Sequence, residues 1–150
     1  MSAYVHGAAT RPLLGDTIGG ALNGAAARFG SCPALISCHQ QATYTYGALL
    51  DAVNRAARAL LALGVARGQR VGIWSPNNAE WMITQYAAAK VGAILVNINP
   101  SYRLRELEYA LNQSGVSVLV AAREFRKTSY VEMLVALMPE LTTARGAAPT

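Results

Sequence analysis

The sequence predicts an α/β fold, an open and doubly wound parallel sheet that is preceded by a short β-hairpin. Three continuous apolar runs alternate with three segments of helical periodicity between residues 70 and 141. Strands that are buried on both faces have this composition, and their alternation with helices is typical of parallel sheets with right-handed crossovers. The 150 residues are 53% hydrophobic and 14% charged, which excludes intrinsic disorder for most of the chain.

The first elements precede the sheet. Residues 1–15 show no periodicity, and we expect an extended arm there. Residues 16–29 have apolar side chains at helical spacing, and Asp16 or Thr17 could cap the start of that helix. Three glycines in the segment weaken the helix by about 1 kcal/mol each relative to alanine.

A hairpin and a long helix follow. The segments ALIS (34–37) and ATYTY (42–46) are apolar or β-branched, and we expect them to pair across a turn at HQQ (39–41). Thr45 begins a helix that ends at Gly64. The apolar positions of this helix form one stripe: Leu49, Leu50, Val53, Ala57, Leu60 and Leu61.

The sheet itself is expected from three runs and three helices. The predicted strands are RVGIW (70–74), AILVNI (93–98) and VSVLVAA (116–122). The predicted helices span about 77–91, 101–113 and 129–141. The last helix is followed by no strand, and residues 142–150 drift into small and polar types, where we expect an unstructured tail. Residues 16–141 therefore read as one partial α/β domain.

Three details of packing can be predicted as well. Asn77 lies three residues before Glu80, a spacing that favours Asn77 as the N-cap of its helix. In the next helix, Leu104, Leu107 and Leu111 are expected to face inward. Large aromatic rings dominate burial, so three rings are predicted in or near the core: Trp74, Trp81 and Tyr86.

Composition and charge exclude several classes of partner. The net charge is +5, yet the arginines are scattered along the chain, whereas a nucleic-acid binder clusters them on one face. No apolar run is long enough for a membrane span, and no basic region with an apolar core marks a secretory signal, so we expect a cytoplasmic protein. Cys32 and Cys38 are too few for a disulfide framework and lack zinc-site spacing.

Familiar catalytic motifs are absent from the sequence. Neither a glycine-rich dinucleotide fingerprint nor a P-loop follows any predicted strand, and no Gly-x-Ser-x-Gly elbow exists. The two histidines, His6 and His39, lie outside the predicted sheet. The residue pattern alone therefore indicates an α/β domain without naming a reaction.

Several short motifs, in their order and spacing, carry more information. They are the Thr-Tyr pair at the start of the second helix, Gly-x-x-x-Gly-x-x-Val-Gly-Ile (64–73), Asn77 to Trp81, Gly92-Ala93, Asn97 to Pro100, and Glu106-Leu107 with Tyr109. From about Leu13 to Leu141 the chain resembles the N-terminal part of the AMP-forming acyl-CoA synthetases, adenylate-forming enzymes, and within them the medium-chain fatty acyl type. The resemblance implies the Rossmann-like or flavodoxin-like first part of the adenylate-forming fold.

The resemblance also implies a reaction and its participants. Such ligases join a fatty acid to ATP as an acyl-adenylate and then transfer the acyl group to coenzyme A, with Mg²⁺ on the phosphates. Their phosphate-binding loop and catalytic lysine match no position in this chain. We therefore expect the 150 residues to be inactive alone, to supply no catalytic residue and to bind none of these cofactors tightly. A smaller departure from the family is Ala48, where a glutamate would complete a capping box.

Two groups of residues at strand ends are candidates for coenzyme A binding. Asn97, Asn99 and Pro100 read most simply as a strand end with an Asx turn and a helix-entry proline. The resemblance places the next residues near the nucleotide end of coenzyme A, namely Ser101, Tyr102 and Arg103. The basic residues after the third strand, Arg123, Arg126 and Lys127, are either a solvated loop or contacts for its phosphates.

One alternative from another class stays open. The chain could be a free-standing, non-catalytic α/β module that binds a nucleotide or a protein partner. An incomplete sheet also exposes an edge, so self-association through that edge is expected as a risk.

Overall fold

The computed structural model describes residues 7, 10 and 13–142 and confirms the α/β fold. The helices are α1 (Ile18–Phe29), α2 (Tyr46–Ala62), α3 (Ala79–Val91), α4 (Leu104–Ser114) and α5 (Tyr130–Leu137). The strands are β1 (Pro33–Ser37), β2 (Ala42–Thr45), β3 (Arg70–Trp74), β4 (Ile94–Ile98), β5 (Val118–Ala121), β6 (Glu124–Phe125) and β7 (Thr128–Ser129). Short 3₁₀ turns occupy Cys38–Gln40 and Pro139–Thr142.

The sheet is parallel, with β3 at its centre. Among the described residues its order is β4–β3–β5, so the first crossover leads from the centre to one edge, and the second leads from β4 past β3 to the other edge. Val71 of β3 pairs with Leu95 of β4 and with Val118 of β5. The hairpin β1–β2 forms its own antiparallel pair, as predicted.

Alternate residues of the strands enter two separate cores. Val71 and Val118 pack with α1, α2 and α3, in what we call the α2/α3 core. Trp74 and Leu119 point to the opposite face, where α4 and α5 form the α4/α5 core. Since successive strand residues alternate between faces, helices cover both sides and the doubly wound arrangement is confirmed.

Glycine at the middle of β3 allows the sheet and its neighbours to pack closely. A Cβ atom built at Gly72 would lie 3.0 Å from side-chain atoms of both Leu119 and Val116. That separation is shorter than a normal van der Waals contact, so a larger residue would require the side chains of Leu119 and Val116 to shift.

The helix starts follow the predicted capping chemistry at two of three positions. The Thr17 hydroxyl accepts a hydrogen bond from the Gly20 amide, and the Thr45 hydroxyl accepts one from the Ala48 amide. The prediction for α3 was one residue too early, because the cap is Asn78, whose Oδ1 accepts from the Trp81 amide at 2.8 Å, and not Asn77.

A contact from the hairpin explains the later start of α3. The Oε1 atom of Gln40 accepts a hydrogen bond from the Ala79 amide at 2.8 Å, and its Nε2 donates to Glu80 at 2.8 Å. Gln40 thereby satisfies one of the free N–H groups that every helix start leaves. Because this residue lies 40 positions from Glu80 in the sequence, local spacing could not reveal it.

The predictions for α4 and α5 need correction at their ends. Helix α4 begins at Leu104 rather than Ser101, so Pro100 lies outside the first turn and is not a helix-entry residue. Helix α5 ends at Leu137 instead of continuing to residue 141. Pro139 explains that end, because a proline disfavours helical geometry at the residue before it, and Met138 is non-helical, with φ −135° and ψ 79°.

The two ends of the chain lie largely beyond what the structure describes. Residues 7, 10 and 13–15 of the predicted arm have no regular secondary structure, and the rest of the arm lies outside the described residues. Of the predicted tail, Thr142 closes a 3₁₀ turn and residues 143–150 lie outside. The division of the chain at residues 15 and 141 stays a prediction, as does self-association through the outer edges of β4 and β5.

Leucines on α4 provide a direct stability test. Leu107 is 0% exposed in the α4/α5 core, whereas Leu104, expected to face inward, is 38% exposed. Leu107→Ala should lower the free energy of unfolding by about 3 kcal/mol, because it leaves a cavity. Leu104→Ala should lower it by less than about 1 kcal/mol. Urea unfolding of the two variants measures the difference, and equal losses would contradict this placement of α4.

Candidate functional site

A cleft of about 380 Å³ opens at the carboxyl ends of β4 and β5. One wall is the loop after β4 and the other is the hairpin β6–β7. Its lining consists of Pro100, Ser101, Tyr102, Arg103, Phe125, Arg126, Lys127 and Thr128. We call it the basic cleft, because three of these residues are cations and none is a carboxylate. Ligands of open parallel sheets bind at this edge.

The first wall is shaped by Asn99. Its Oδ1 accepts a hydrogen bond from the Ser101 amide at 2.9 Å, which is the predicted Asx turn. Its main-chain oxygen accepts from the Tyr102 amide at 3.1 Å. The loop then passes into α4, where the Arg103 amide donates to Glu106 at 3.0 Å. The backbone of residues 99–103 is therefore held by local hydrogen bonds.

The second wall is a tight hairpin that the sequence did not predict. The segment Glu124–Ser129 was expected as a loop, since strands of two residues are too short to show alternation. Arg126 lies at the turn with φ +55°, a left-handed conformation that costs a non-glycine residue about 1 kcal/mol. The Arg126 guanidinium lies 5.1 Å from the centre of the Phe125 ring.

Arg103 connects the two walls. Its Nη1 donates a hydrogen bond to the hydroxyl of Thr128 at 3.0 Å, across 25 residues of sequence. The guanidinium retains further N–H groups, which arginine uses to bind phosphate or carboxylate in pairs. With Arg126 and Lys127 opposite, the cleft is electrostatically complementary to an anion.

A buried aromatic pair lies beneath the cleft. Trp74 and Tyr130 are both 0% exposed, and their rings stack with centroids 3.5 Å apart and planes at 5°. The Trp74 Nε1 donates to the Asn99 carbonyl at 3.1 Å, and the Tyr130 hydroxyl donates to the Pro100 carbonyl at 2.5 Å. Burial raises the pKa of the Tyr130 phenol above its usual value of 10.0.

The structure brings together five of the six predicted site residues. Ser101, Tyr102 and Arg103 line one wall, and Arg126 and Lys127 line the other. Arg123 does not line the cleft. Its exposed side chain lies at the base of the hairpin, and its carbonyl accepts a hydrogen bond from the Tyr130 amide at 3.0 Å. The binding role of all six residues stays a prediction.

The sequence analysis predicted Trp74 as a core residue, and its burial confirms this, but the analysis missed Tyr130. Tyr130 was one position among many in the predicted helix 129–141, and nothing in the local pattern distinguished it. A tyrosine at the start of a largely apolar stretch (YVEMLVAL) is the available signal, because a buried hydroxyl requires a hydrogen-bond partner.

The other cavities and side-chain clusters among the described residues are less suited to binding a charged ligand. Two larger cavities, of about 530 and 700 Å³, lie beside α4, and neither gathers more than one basic side chain. A third, of about 480 Å³, adjoins the basic cleft, shares Arg103 and Lys127 with it, and adds the carboxylate of Glu132. Residues 13–142 hold no group of three or more His, Cys, Asp or Glu residues that could bind a metal ion. Cys32 and Cys38 are exposed free thiols. Within the same span, no helix is long and apolar enough to cross a bilayer.

Comparison with known proteins confirms the resemblance. The family model of the AMP-binding enzymes matches residues 22–147. The medium-chain acyl-CoA ligase ACSF2, mitochondrial, of Homo sapiens is 36% identical over 146 residues, which is 97% of this chain and 24% of the relative. The protein of the same name in Danio rerio is 37% identical over 95% of this chain and 24% of its own length. The chain spans about a quarter of the length of these curated relatives.

Solved structures agree with the fold. The N-terminal domain of FACL13 from Mycobacterium tuberculosis superposes with a TM-score of 0.69 at 28% identity, over 89% of this chain and 30% of that one. The anthranilate CoA ligase AuaEII, solved in complex with anthranoyl-AMP, gives a TM-score of 0.74 at 25% identity, over 84% of this chain and 23% of that one.

The raised pKa of Tyr130 predicts a loss of stability in alkali. Unfolding would release a phenol that ionises near pH 10, while the folded protein keeps its proton, so the free energy of unfolding falls as pH rises above 10 toward the folded pKa. The Tyr130→Phe variant lacks this contribution and should lose less stability over that interval. Urea unfolding of both proteins from pH 8 to 11 measures the difference. Parallel curves would contradict the prediction.

Proposed function

The chain belongs to the AMP-binding enzyme family, and from that premise we propose that it forms the N-terminal part of an ATP-dependent fatty acid–CoA ligase. The relatives named as medium-chain acyl-CoA ligases support a fatty acid as the substrate class. In the first half-reaction the carboxylate attacks the α-phosphorus of ATP, giving an acyl-adenylate and pyrophosphate. In the second, the thiol of coenzyme A attacks the acyl carbon, a thioester forms and AMP leaves.

The adenylation chemistry is assigned to no residue of this chain. Mg²⁺ and ATP require carboxylate ligands and a phosphate-binding loop, yet residues 13–142 contain no cluster suited to a metal ion, and the sequence contains no such loop. We propose that these groups belong to other parts of the complete ligase. When bound there, Mg²⁺ would neutralise charge on the phosphates.

The basic cleft is the feature of this chain that supports a role in the second half-reaction. Coenzyme A carries a pyrophosphate and a 3′-phosphate at its nucleotide end, and the cleft presents Arg103, Arg126 and Lys127 at the carboxyl edge of the sheet. We propose that these cations bind that end of coenzyme A, with Ser101 and Tyr102 alongside. Arg123, at the base of the hairpin, contributes to the local positive potential.

The alternative, a free-standing module that binds a nucleotide or a protein, uses the same cleft without catalysis. The DNA after the codon for Thr150 separates the two. An open frame that encodes a Ser/Thr/Gly-rich loop ending in Pro-Lys-Gly supports the ligase, and a natural stop codon there favours the module. The cytoplasmic location stays a prediction, which fractionation of the source cells can test.

Charge reversal in the cleft should affect one half-reaction alone. In the complete ligase, Arg126→Glu should raise the KM for coenzyme A roughly tenfold or more, because a close phosphate–guanidinium pair becomes repulsive. The rate of acyl-adenylate formation should stay unchanged. Arg58→Glu, an equal charge change on an exposed position of α2, is the matched control. Equal losses in both half-reactions would contradict the assignment of the cleft to coenzyme A.

The isolated 150 residues should catalyse no ATP–pyrophosphate exchange with any fatty acid. The expectation follows from the absence of a phosphate-binding loop and of a metal-binding cluster in the part of the chain described. Radiolabelled pyrophosphate, incubated with ATP and acids of six to eighteen carbons, provides the measurement. Exchange above a heat-inactivated control would show that the other parts of the ligase are dispensable for adenylation.

A further inference from the structure

The two walls of the basic cleft belong to separate connections of the sheet. The loop after β4 and the hairpin β6–β7 are joined through α4 and β5, so the chain itself does not determine the distance between them. An anion that contacts cations on both walls requires that distance to be maintained. The side-chain contacts that cross from one connection to the other are therefore the groups that can set it.

The hydrogen bond from the buried Tyr130 to the half-buried Pro100 is a tie of this kind. Tyr130 directly follows β7, and its amide donates to the Arg123 carbonyl at 3.0 Å, which anchors it at the base of the hairpin. Its hydroxyl donates to the Pro100 carbonyl, 30 residues away, at 2.5 Å. Pro100 immediately precedes the three residues that line the opposite wall, so the bond connects the two walls.

The stack on Trp74 keeps the Tyr130 hydroxyl in place. The rings are parallel within 5° and neither residue is exposed, so rotation of the phenol is blocked by packing. Trp74 donates to the Asn99 carbonyl at 3.1 Å, one residue before the Tyr130 contact. The two rings thus hold successive carbonyls of the same loop.

A phenylalanine would fill the same space, so the hydroxyl requires an explanation of its own. Burial of a hydroxyl costs free energy unless a hydrogen bond compensates, and here the acceptor is a loop carbonyl at the edge of the cleft. Arg103, the cation of this loop, also donates a hydrogen bond to Thr128. That bond is exposed, so water can compete with it. The bond from Tyr130 is partly buried and therefore less accessible to competing water than the bond from Arg103.

We propose that Tyr130 is a positioning residue for the basic cleft, whose hydroxyl holds the Pro100 carbonyl and so keeps Arg103 at the distance from Arg126 and Lys127 that one phosphate-bearing ligand requires. The inference rests on the proposed binding of coenzyme A. Tyr130 acts through Pro100 and touches no ligand itself.

The test compares Tyr130→Phe with wild type in the complete ligase, with adenosine 3′,5′-bisphosphate as the probe. Calorimetry should give a dissociation constant roughly three- to tenfold weaker in the variant, the effect of one hydrogen bond. The dependence of binding on salt should not change, because every cation is retained. Tyr109→Phe, which removes an exposed hydroxyl from α4, is the matched control and should bind as wild type does.

Amide hydrogen exchange provides a readout that does not depend on the ligand. The amides of Ser101 and Tyr102 should exchange faster in Tyr130→Phe, while those of Val71 and Ile73 in the central strand should be unchanged. In the complete ligase, the variant should raise the KM for coenzyme A and leave the rate of adenylate formation as it is.

Each outcome has a separate meaning. If wild type does not bind the probe, the proposed coenzyme A site is wrong. If wild type binds and Tyr130→Phe binds equally well, or if its loop amides exchange at the wild-type rate, the positioning inference is wrong and the site remains. If Tyr130→Phe fails to fold, Trp74→Phe takes its place, because it removes the donor to the neighbouring Asn99 carbonyl and alters the stack that holds the Tyr130 hydroxyl. Wild-type affinity together with wild-type exchange of the loop amides in that variant would overturn the inference.

Discussion

The stacked pair of Trp74 and Tyr130 is the contact on which the candidate site depends. Trp74 ends the central strand, and Tyr130 begins the last helix, so the stack joins the middle of the sheet to the most C-terminal described helix. Both polar ring atoms bind carbonyls of one loop. A purely apolar pair would supply the same burial without directing that loop. The indole N–H and the phenol O–H therefore fix the position of the loop after β4, which forms one wall of the basic cleft.

Most elements of the fold could be predicted because their signals are local. Continuous apolar runs marked β3, β4 and β5, Thr45 marked the start of α2, and the start of α1 was narrowed to Asp16 or Thr17. The errors occurred where a contact with a residue distant in sequence sets a helix boundary, or where an element is too short to show a periodic pattern. Gln40 satisfies the first turn of α3, which places the cap at Asn78, and no spacing within the helix contains that information. The β6–β7 hairpin has two residues in each strand, too few for a periodic signal.

The basic residues of the candidate site could be predicted from the sequence, but the hairpin and the buried contacts that position them could not. Arg103, Arg126 and Lys127 follow the ends of parallel strands, and that position alone indicates a shared edge. Arg123 follows the same strand yet contributes a carbonyl to the base of the hairpin, because the chain reverses direction immediately after it. Tyr130 was missed for a related reason, since its importance arises from a ring and a carbonyl that are remote in sequence.

The position of β3 at the centre of the sheet has a consequence for synthesis on the ribosome. The central strand leaves the exit tunnel before either of its neighbours, so its backbone groups have no partner until β4 and then β5 emerge. The α2/α3 core can cover one face of β3 once residue 91 is available, but the Trp74 side remains open until α5 is made. The nascent chain would therefore leave the indole ring of Trp74 partly uncovered while residues 75–130 are translated, and chaperones that recognise aromatic side chains could bind it during that interval.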